Sequence, residues 1–535
     1  MKLTFFVLLK KLKKIIYIYD GHHMDIKLFL LQSINKISLP KDKKLIEYHD
    51  LLLFLASHPE NIKINKLVDL EFHRIGQLVK STKNQTKNLF LDTGLPFSSM
   101  ITRFSHDLTQ WMYQYPECKI FIDSYDDLGL DLNTILKMTL PSVERDETTA
   151  SLSNDDLLDA LQVPKKDQLQ FLLNELSTLN SKPLIKDYFW EALKLFIEIQ
   201  GKNKTFSRSF NKAYISELFY QNQLVKKFDH LEIILRQLPT AKDLNLTQKI
   251  DLISTIKKSL LLTLRETDPS TYMDESSLRF FELERGISIA IYGMQANRQL
   301  PLQSYIGYTL FKNGFPAAYG GSWIFGKAAM FGLNIFECFR GGESGYMMCQ
   351  LLRVYKQVFN IEYFEVEPYQ YGLDNPDGIK SGAFWFYHRY GFRPVNLKLN
   401  ILANRETAKI KANPQYRSSS LTLLRFTESN IALHLDGPIP LKYLEVTKKI
   451  TEMISREFHG NRSRAIEYCN QLILKHLNKP SFNEEQKNVL EEVGLFCNAF
   501  KFYNQEQLNL IIQMIHSKPI DPYLYNTILS KLIQS

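Results

Sequence analysis

The chain has 535 residues, 44% of them hydrophobic and 23% charged. It is too long for a single core and predicts about two to four domains. Its net charge of +9, from 66 basic against 57 acidic residues, suits a partner carrying phosphates, such as a nucleotide-like cofactor, without requiring nucleic acid. Five scattered cysteines, with no CxxC pair and no Cys/His cluster at metal-ligand spacing, point to a reducing cytoplasm and to no metal site.

The first 20 residues, MKLTFFVLLKKLKKIIYIYD, begin with a short apolar run that Lys10, Lys11, Lys13 and Lys14 interrupt. That run falls short of the roughly 20 apolar residues a membrane span needs, and no small-residue cleavage site follows. Residues 1–23 therefore read either as a basic amphipathic extension suited to a membrane surface or as a mis-assigned start ahead of Met24. Residues 24–142 are predicted to be mostly helical, with clear apolar helices at Leu45–Ala56 and Leu67–Val79 and a short strand at Cys118–Asp123. The polar stretch 143–154 is the linker candidate. Residues 155–264 again read as helical, through DYFWEALKLFIEIQ and LTQKIDLISTIKKSLLLTL.

At Arg265 the pattern changes to short β-branched and aromatic segments separated by turn signals. Of the 23 glycines, 15 lie between Gly286 and Gly391, and glycine is kept where a positive φ or a close backbone approach is required. Asn313-Gly314 is the strongest hairpin signal. Tyr319-Gly320-Gly321-Ser322-Trp323 marks a bulge or a close ligand approach. An α+β domain is expected over 265–435, with LTLLRF and NIALHL as its late strands. Residues 436–535 predict a helical region, with helices at Leu441–Phe458, Arg462–Leu477 and Phe482–Phe500. Ser481 and Glu484 form a capping box at the third of these.

The chemistry concentrates in residues 337–393. Arg340-Gly341-Gly342-Glu343-Ser344-Gly345 leads into a helix from about Ser344 to Val358, whose free N–H groups and positive dipole end suit an anion such as pyrophosphate. Read only as local structure, the turn is a strand-to-helix connection with an acidic residue at the helix start. A strand at Ile361–Glu367 follows, then a helix over 380–390 that aims Tyr387 towards the sheet, and Gly391 ends it before a strand from about Arg393. Cys338 and Cys349 flank the turn as candidate nucleophiles, although a free cysteine more often packs as a small hydrophobe.

Two motifs carry a resemblance. Phe386-Tyr387-x-x-x-Gly391-Phe392 resembles the penultimate-helix motif of the GNAT (acyl-CoA N-acyltransferase) superfamily, and the Arg340 turn resembles its pyrophosphate loop. The resemblance spans about Phe281–Val395. It departs from the family where Glu343 stands at a glycine position and Lys380 at an asparagine position. It implies a GNAT-like mixed sheet with flanking helices, set between all-helical N- and C-terminal regions. It further implies acyl-CoA or an acyl-carrier protein as donor, an amine acceptor, and cofactor contacts from Arg340, Gly341, Gly342, Glu343, Ser344 and Gly345. Tyr387 would be the acid that protonates the leaving thiolate. Glu365 and Glu367, as alternate residues sharing one strand face, are the candidate bases, and Glu337 is a third. The alternative from a different class is an interaction or scaffold protein with a degenerate domain of this kind.

Overall fold

A computed structural model describes residues 4–82, 88–149, 152–179, 183–476 and 481–535. Helices and mixed sheets make an α+β chain that divides into two compact units. The first comprises residues 1–223, 244–272 and 312–316, and the second comprises 224–243, 273–311 and 317–535. Among the described residues, no helix is long and apolar enough to cross a membrane.

The first unit opens with four helices: α1 (Phe5–Ile15), α2 (Gly21–Asn35), α3 (Lys43–Ser57) and α4 (Ile62–Ser81). Asp20, Asp42 and Asn61 cap the last three through their side chains, each cap being worth about 1 kcal/mol. The helical stripes close on each other through Leu12, Leu31, Leu52 and Val68, all buried. Next come β1 (Ser99–Thr102), β2 (Cys118–Tyr125) and β3 (Leu195–Gly201), an antiparallel sheet in the order β1-β3-β2.

β3 corrects the helical reading of DYFWEALKLFIEIQ. A helix does form over Pro183–Ala192, but Lys194 then takes a left-handed φ of 47° and the burial period drops to two. Leu195, Ile197 and Ile199 face the core while Glu198 and Gln200 pair across the sheet, because a central strand offered partners on both edges. Of the expected linker, residues 150 and 151 lie outside the described residues. Its neighbours Glu147–Thr149 form a short 3-10 turn, and Asn154 opens a helix.

The second unit is built on a nine-stranded sheet of β4 (Arg279–Glu282), β5 (Ile287–Tyr292), β6 (Ser304–Lys312), β7 (Phe315–Phe325), β8 (Ala328–Phe331), β9 (Asn334–Ile335), β10 (Tyr363–Val366), β11 (Arg393–Pro394) and β12 (Ile431–His434). The order is β11-β12-β10-β8-β7-β6-β5-β4, with β9 on β7. The Asn313-Gly314 turn between β6 and β7 has φ of 47° and 80°, as a tight hairpin turn with two left-handed centres demands. One connection is parallel: β8 runs through the Arg340 turn and the Ser344–Phe359 helix to β10, which pairs with it at Tyr363↔Ala328, Phe364↔Ala329 and Glu365↔Met330. β12 enters between β10 and β11, antiparallel to both.

LTLLRF, expected as a strand, is a helix, Ser420–Phe426. Ser419 caps it, and Leu423 and Phe426 are buried three residues apart while Leu421 and Leu424 stay exposed. Phe426 stacks on Phe384 with centroids 3.8 Å apart, a contact that a strand's alternation would not have produced. The C-terminal helices run Tyr443–Phe458, Arg462–His476 and Glu484–Phe500; Leu477, expected within the second, lies outside the described residues. The third is boxed by Asn483 and Gln486 instead of Ser481 and Glu484, since only Asn483 stands directly before the first turn.

Candidate functional site

The Arg340 turn and its helix are held by the β4–β5 turn, where Arg285 has a φ of 62°, uncommon for a side chain of its size. That backbone turns Glu284 and Arg285 towards the Ser344–Phe359 helix. Arg285 donates from Nε (3.0 Å) and Nη2 (2.8 Å) to Glu343 Oε1, and the Val225 N–H donates to the same oxygen at 3.0 Å. Further along the helix, Arg353 Nη1 reaches both Glu284 oxygens at 3.0 and 2.8 Å, and Gln350 Nε2 donates to Glu284 at 3.0 Å. Burial raises the Glu284 carboxyl, but the backbone bond and Arg353 outweigh it and hold the group below its usual range.

Glu343 therefore points inward, with its side chain fully buried. It stands at the N-cap of the helix without capping it. The outward side of the turn carries exposed Arg340, whose Nε donates to Ile335 O at 3.1 Å, and exposed Gly341, whose φ of 84° needs glycine. Gly342 is buried and Ser344 half-buried. At Gly345 a Cβ would lie 1.8 Å from the Tyr390 hydroxyl, so the residue is glycine because the Tyr390 ring packs on the helix backbone. Phe228 stacks on that ring at 5.6 Å and meets Tyr346 edge-on at 5.5 Å.

The helical stretch expected over 380–390 is broken at Gly382 (φ 67°), which ends one helix, Pro376–Ser381, and starts another, Ala383–Arg389. Lys380 sits in the first of these. Tyr387 points inward, 3% exposed, and burial pushes its hydroxyl well above the usual tyrosine range. Its hydroxyl donates to Gln370 Oε1 at 3.4 Å, and the same oxygen accepts the Leu333 N–H at 3.2 Å. This is where β8 and β10 part: their ladder ends at Met330/Glu365, and the chain beyond it turns to pair as β9 with β7. Beside it, the Tyr308 hydroxyl donates to Gly332 O at 3.0 Å. His388 is buried against Phe384 and Trp385, and burial with nearby Arg393 lowers its pKa to about 4.

The two candidate bases do not share a strand face. β10 ends at Val366, and Glu367 is exposed at the start of the Pro368–Tyr371 turn that carries Gln370. Glu365 is buried with both oxygens engaged, by Lys442 Nζ at 2.9 Å and by Asn430 Nδ2 at 2.6 Å. Burial lowers the Lys442 ammonium, yet its bonds to Glu365 and Tyr363 leave it raised. Glu337 is exposed in the 3-10 turn Glu337–Phe339. Cys349 is buried and its thiol pushed up, which removes it as a thiolate nucleophile, while Cys338 is half-buried.

At Gly320 and Gly321 other protein atoms approach the backbone closely. A Cβ at Gly320 would meet the Tyr308 hydroxyl at 2.8 Å, and one at Gly321 would meet the Tyr305 ring at 2.4 Å. Gln370 and Arg285, both central to this geometry, carried no motif of their own. No protein-family model, curated protein or solved structure matches the chain.

Proposed function

We propose that the second unit is an N-acyltransferase of GNAT-like build that takes its acyl group from a thioester of coenzyme A or of a carrier protein. One observation carries the reading: Gln370 Oε1 is held by both the Leu333 N–H and the Tyr387 O–H at the parting of β8 and β10. Those are the donors a thioester needs, one for its carbonyl oxygen and one for its leaving sulfur. A substrate that displaces the Gln370 side chain inherits both.

The acceptor nitrogen then attacks the carbonyl carbon, the C–S bond breaks, and the thiolate takes the proton of Tyr387. A hydroxyl that resists ionisation is suited to that role, since it stays protonated until a strong base forms beside it. Glu367, exposed on the turn that carries Gln370, accepts the proton of the amine in this reading, with exposed Glu337 as the alternative, because Glu365 is committed to Lys442 and Asn430. With Glu343 turned inward onto Arg285, no carboxylate from that position meets phosphates lying along Arg340, Gly341 and Ser344.

Titration with acetyl-CoA and longer acyl-CoAs, followed by thermal shift, tests the reading. A ligand specific for the folded state adds about 2.7 kcal/mol at 100 times its dissociation constant. Tyr387→Phe should then lower turnover and leave affinity nearly intact. The commitment of Glu365 to Lys442 and Asn430 favours the second reading, a scaffold that keeps the build without the chemistry. Absence of any shift with acyl-CoAs and acyl-carrier proteins would decide for it.

A further inference from the structure

The basic N-terminal segment presents a different face once its apolar side is accounted for. An isolated amphipathic helix binds a bilayer through its apolar face. In α1 that face is spent on the protein: Leu8, Leu9 and Leu12 are buried, and Phe5 meets Tyr48 edge-on at 5.5 Å. What α1 turns outward is exposed Lys10, Lys11, Lys13 and Lys14, with Phe6 52% exposed at one end, and Tyr17 and Ile18 exposed just past the other.

This face continues onto the start of α3. Lys44 Nζ lies 4.6 Å from the centre of the Phe6 ring, and Lys41 and Lys43 beside it are exposed. α1 contains no acidic residue, and Glu47 pairs with Lys13. Asp42 is occupied as the cap of α3. The result is a cationic surface with apolar and aromatic side chains standing at its edges.

We propose that the outward face of α1, with the start of α3, docks the first unit on an anionic lipid bilayer. The lysines meet the headgroup charge, and Phe6, Tyr17 and Ile18 enter the headgroup boundary. Lysine over a negative leaflet supplies attraction, and the exposed aliphatic Ile18 beside the rings gains at the acyl boundary, where a base-stacking surface has no use for it. The single buried side of α1 makes this attachment peripheral and dependent on charge.

The test is co-sedimentation of the full chain with vesicles of phosphatidylcholine alone and of phosphatidylcholine with phosphatidylserine. Retention is expected on the anionic vesicles only, falling with added salt. Each lysine near such a surface is worth about a fivefold change in binding. The triple variant K10E/K11E/K14E should therefore lose well over tenfold, with its circular dichroism unchanged because all three side chains are solvent-exposed. K398E/K411E/K487E, an equal charge change in the second unit, should bind as the parent does. Phe6→Ser should weaken binding without altering its salt dependence. Equal retention on neutral vesicles, no retention on either, undiminished binding by K10E/K11E/K14E, or displacement from vesicles by single-stranded RNA would each overturn the proposal.

Discussion

Replacing Arg285 by methionine removes the guanidinium that pairs with the Glu343 carboxylate at a position where the Glu343 side chain has 0% exposure. Breaking a buried pair from one side costs about 3–5 kcal/mol, because the remaining charge loses attraction that water does not replace. The opposite change, Glu343→Gln, keeps an amide oxygen for the Val225 N–H and leaves Arg285, 16% exposed, within reach of water. It should cost only about 1–2 kcal/mol. The double variant should fall near Glu343→Gln, so the two changes are strongly non-additive. A chain of two units need not unfold in one step. The readout is therefore hydrogen exchange of peptides from residues 344–359 in the full-length protein. A local loss of about 3 kcal/mol appears as roughly 150-fold faster exchange there. If Arg285→Met changes exchange no more than Glu343→Gln does, or if the two effects simply add, the helix start is not held by this pair.

Lys518 is buried on Tyr525, donating to Gln303 O at 3.0 Å and to Ser304 Oγ at 2.8 Å, and burial lowers its pKa to about 7. Its depressed value means the unfolded chain binds the proton more tightly. Stability of the second unit should therefore rise by up to about 1.4 kcal/mol per pH unit from pH 7 towards the ordinary lysine range, and fall as pH drops back to 7. Lys518→Met should remove that slope, as urea titration at a series of pH values would measure. His388, lowered to about 4, works in the same direction lower on the scale: stability should decline as pH falls from about 6.5 to 4, and His388→Phe should flatten that decline. Gly345→Ala should destabilise by about 1–3 kcal/mol despite alanine's better helix propensity, because its methyl group would occupy the Tyr390 hydroxyl position. Gly345→Ala/Tyr390→Ala should recover part of that loss in a thermal melt. Gln370→Ala should raise affinity for acyl-CoA, by freeing the Leu333 N–H and the Tyr387 hydroxyl, whereas tighter binding is not expected if Gln370 is only a packing residue.

Local signals were sufficient wherever the chemistry that forms an element lies within it. Asn313-Gly314 specified its turn because left-handed φ is cheap only for such residues. The apolar spacing from Met348 to Phe359 specified the helix that follows the Arg340 turn. LFIEIQ and LTLLRF went the other way. Each is short enough to satisfy both periods, and the outcome rested on neighbours: two flanking strands for Leu195–Gly201, and the Phe384 ring for Phe426. The boundary at Gly382 turned on its left-handed φ of 67°, which a glycine permits but does not by itself specify.

The site divides along the same line. The sequence by itself determined that a glycine-rich turn feeds a helix, and that Tyr387 lies on a short aromatic helix ended by Gly391. Both follow from backbone freedom and periodicity within a few residues. Only the tertiary structure decided what those groups touch. Glu343 is neutralised by Arg285, 58 residues away, and by the Val225 N–H, 118 residues away. Glu365 is claimed by Lys442 and Asn430, and the Tyr387 hydroxyl meets Gln370 where two parallel strands separate. A carboxylate's charge and a hydroxyl's proton are governed by what lies within a few ångströms in space. That distance is set by the packing of the sheet and not by position along the chain.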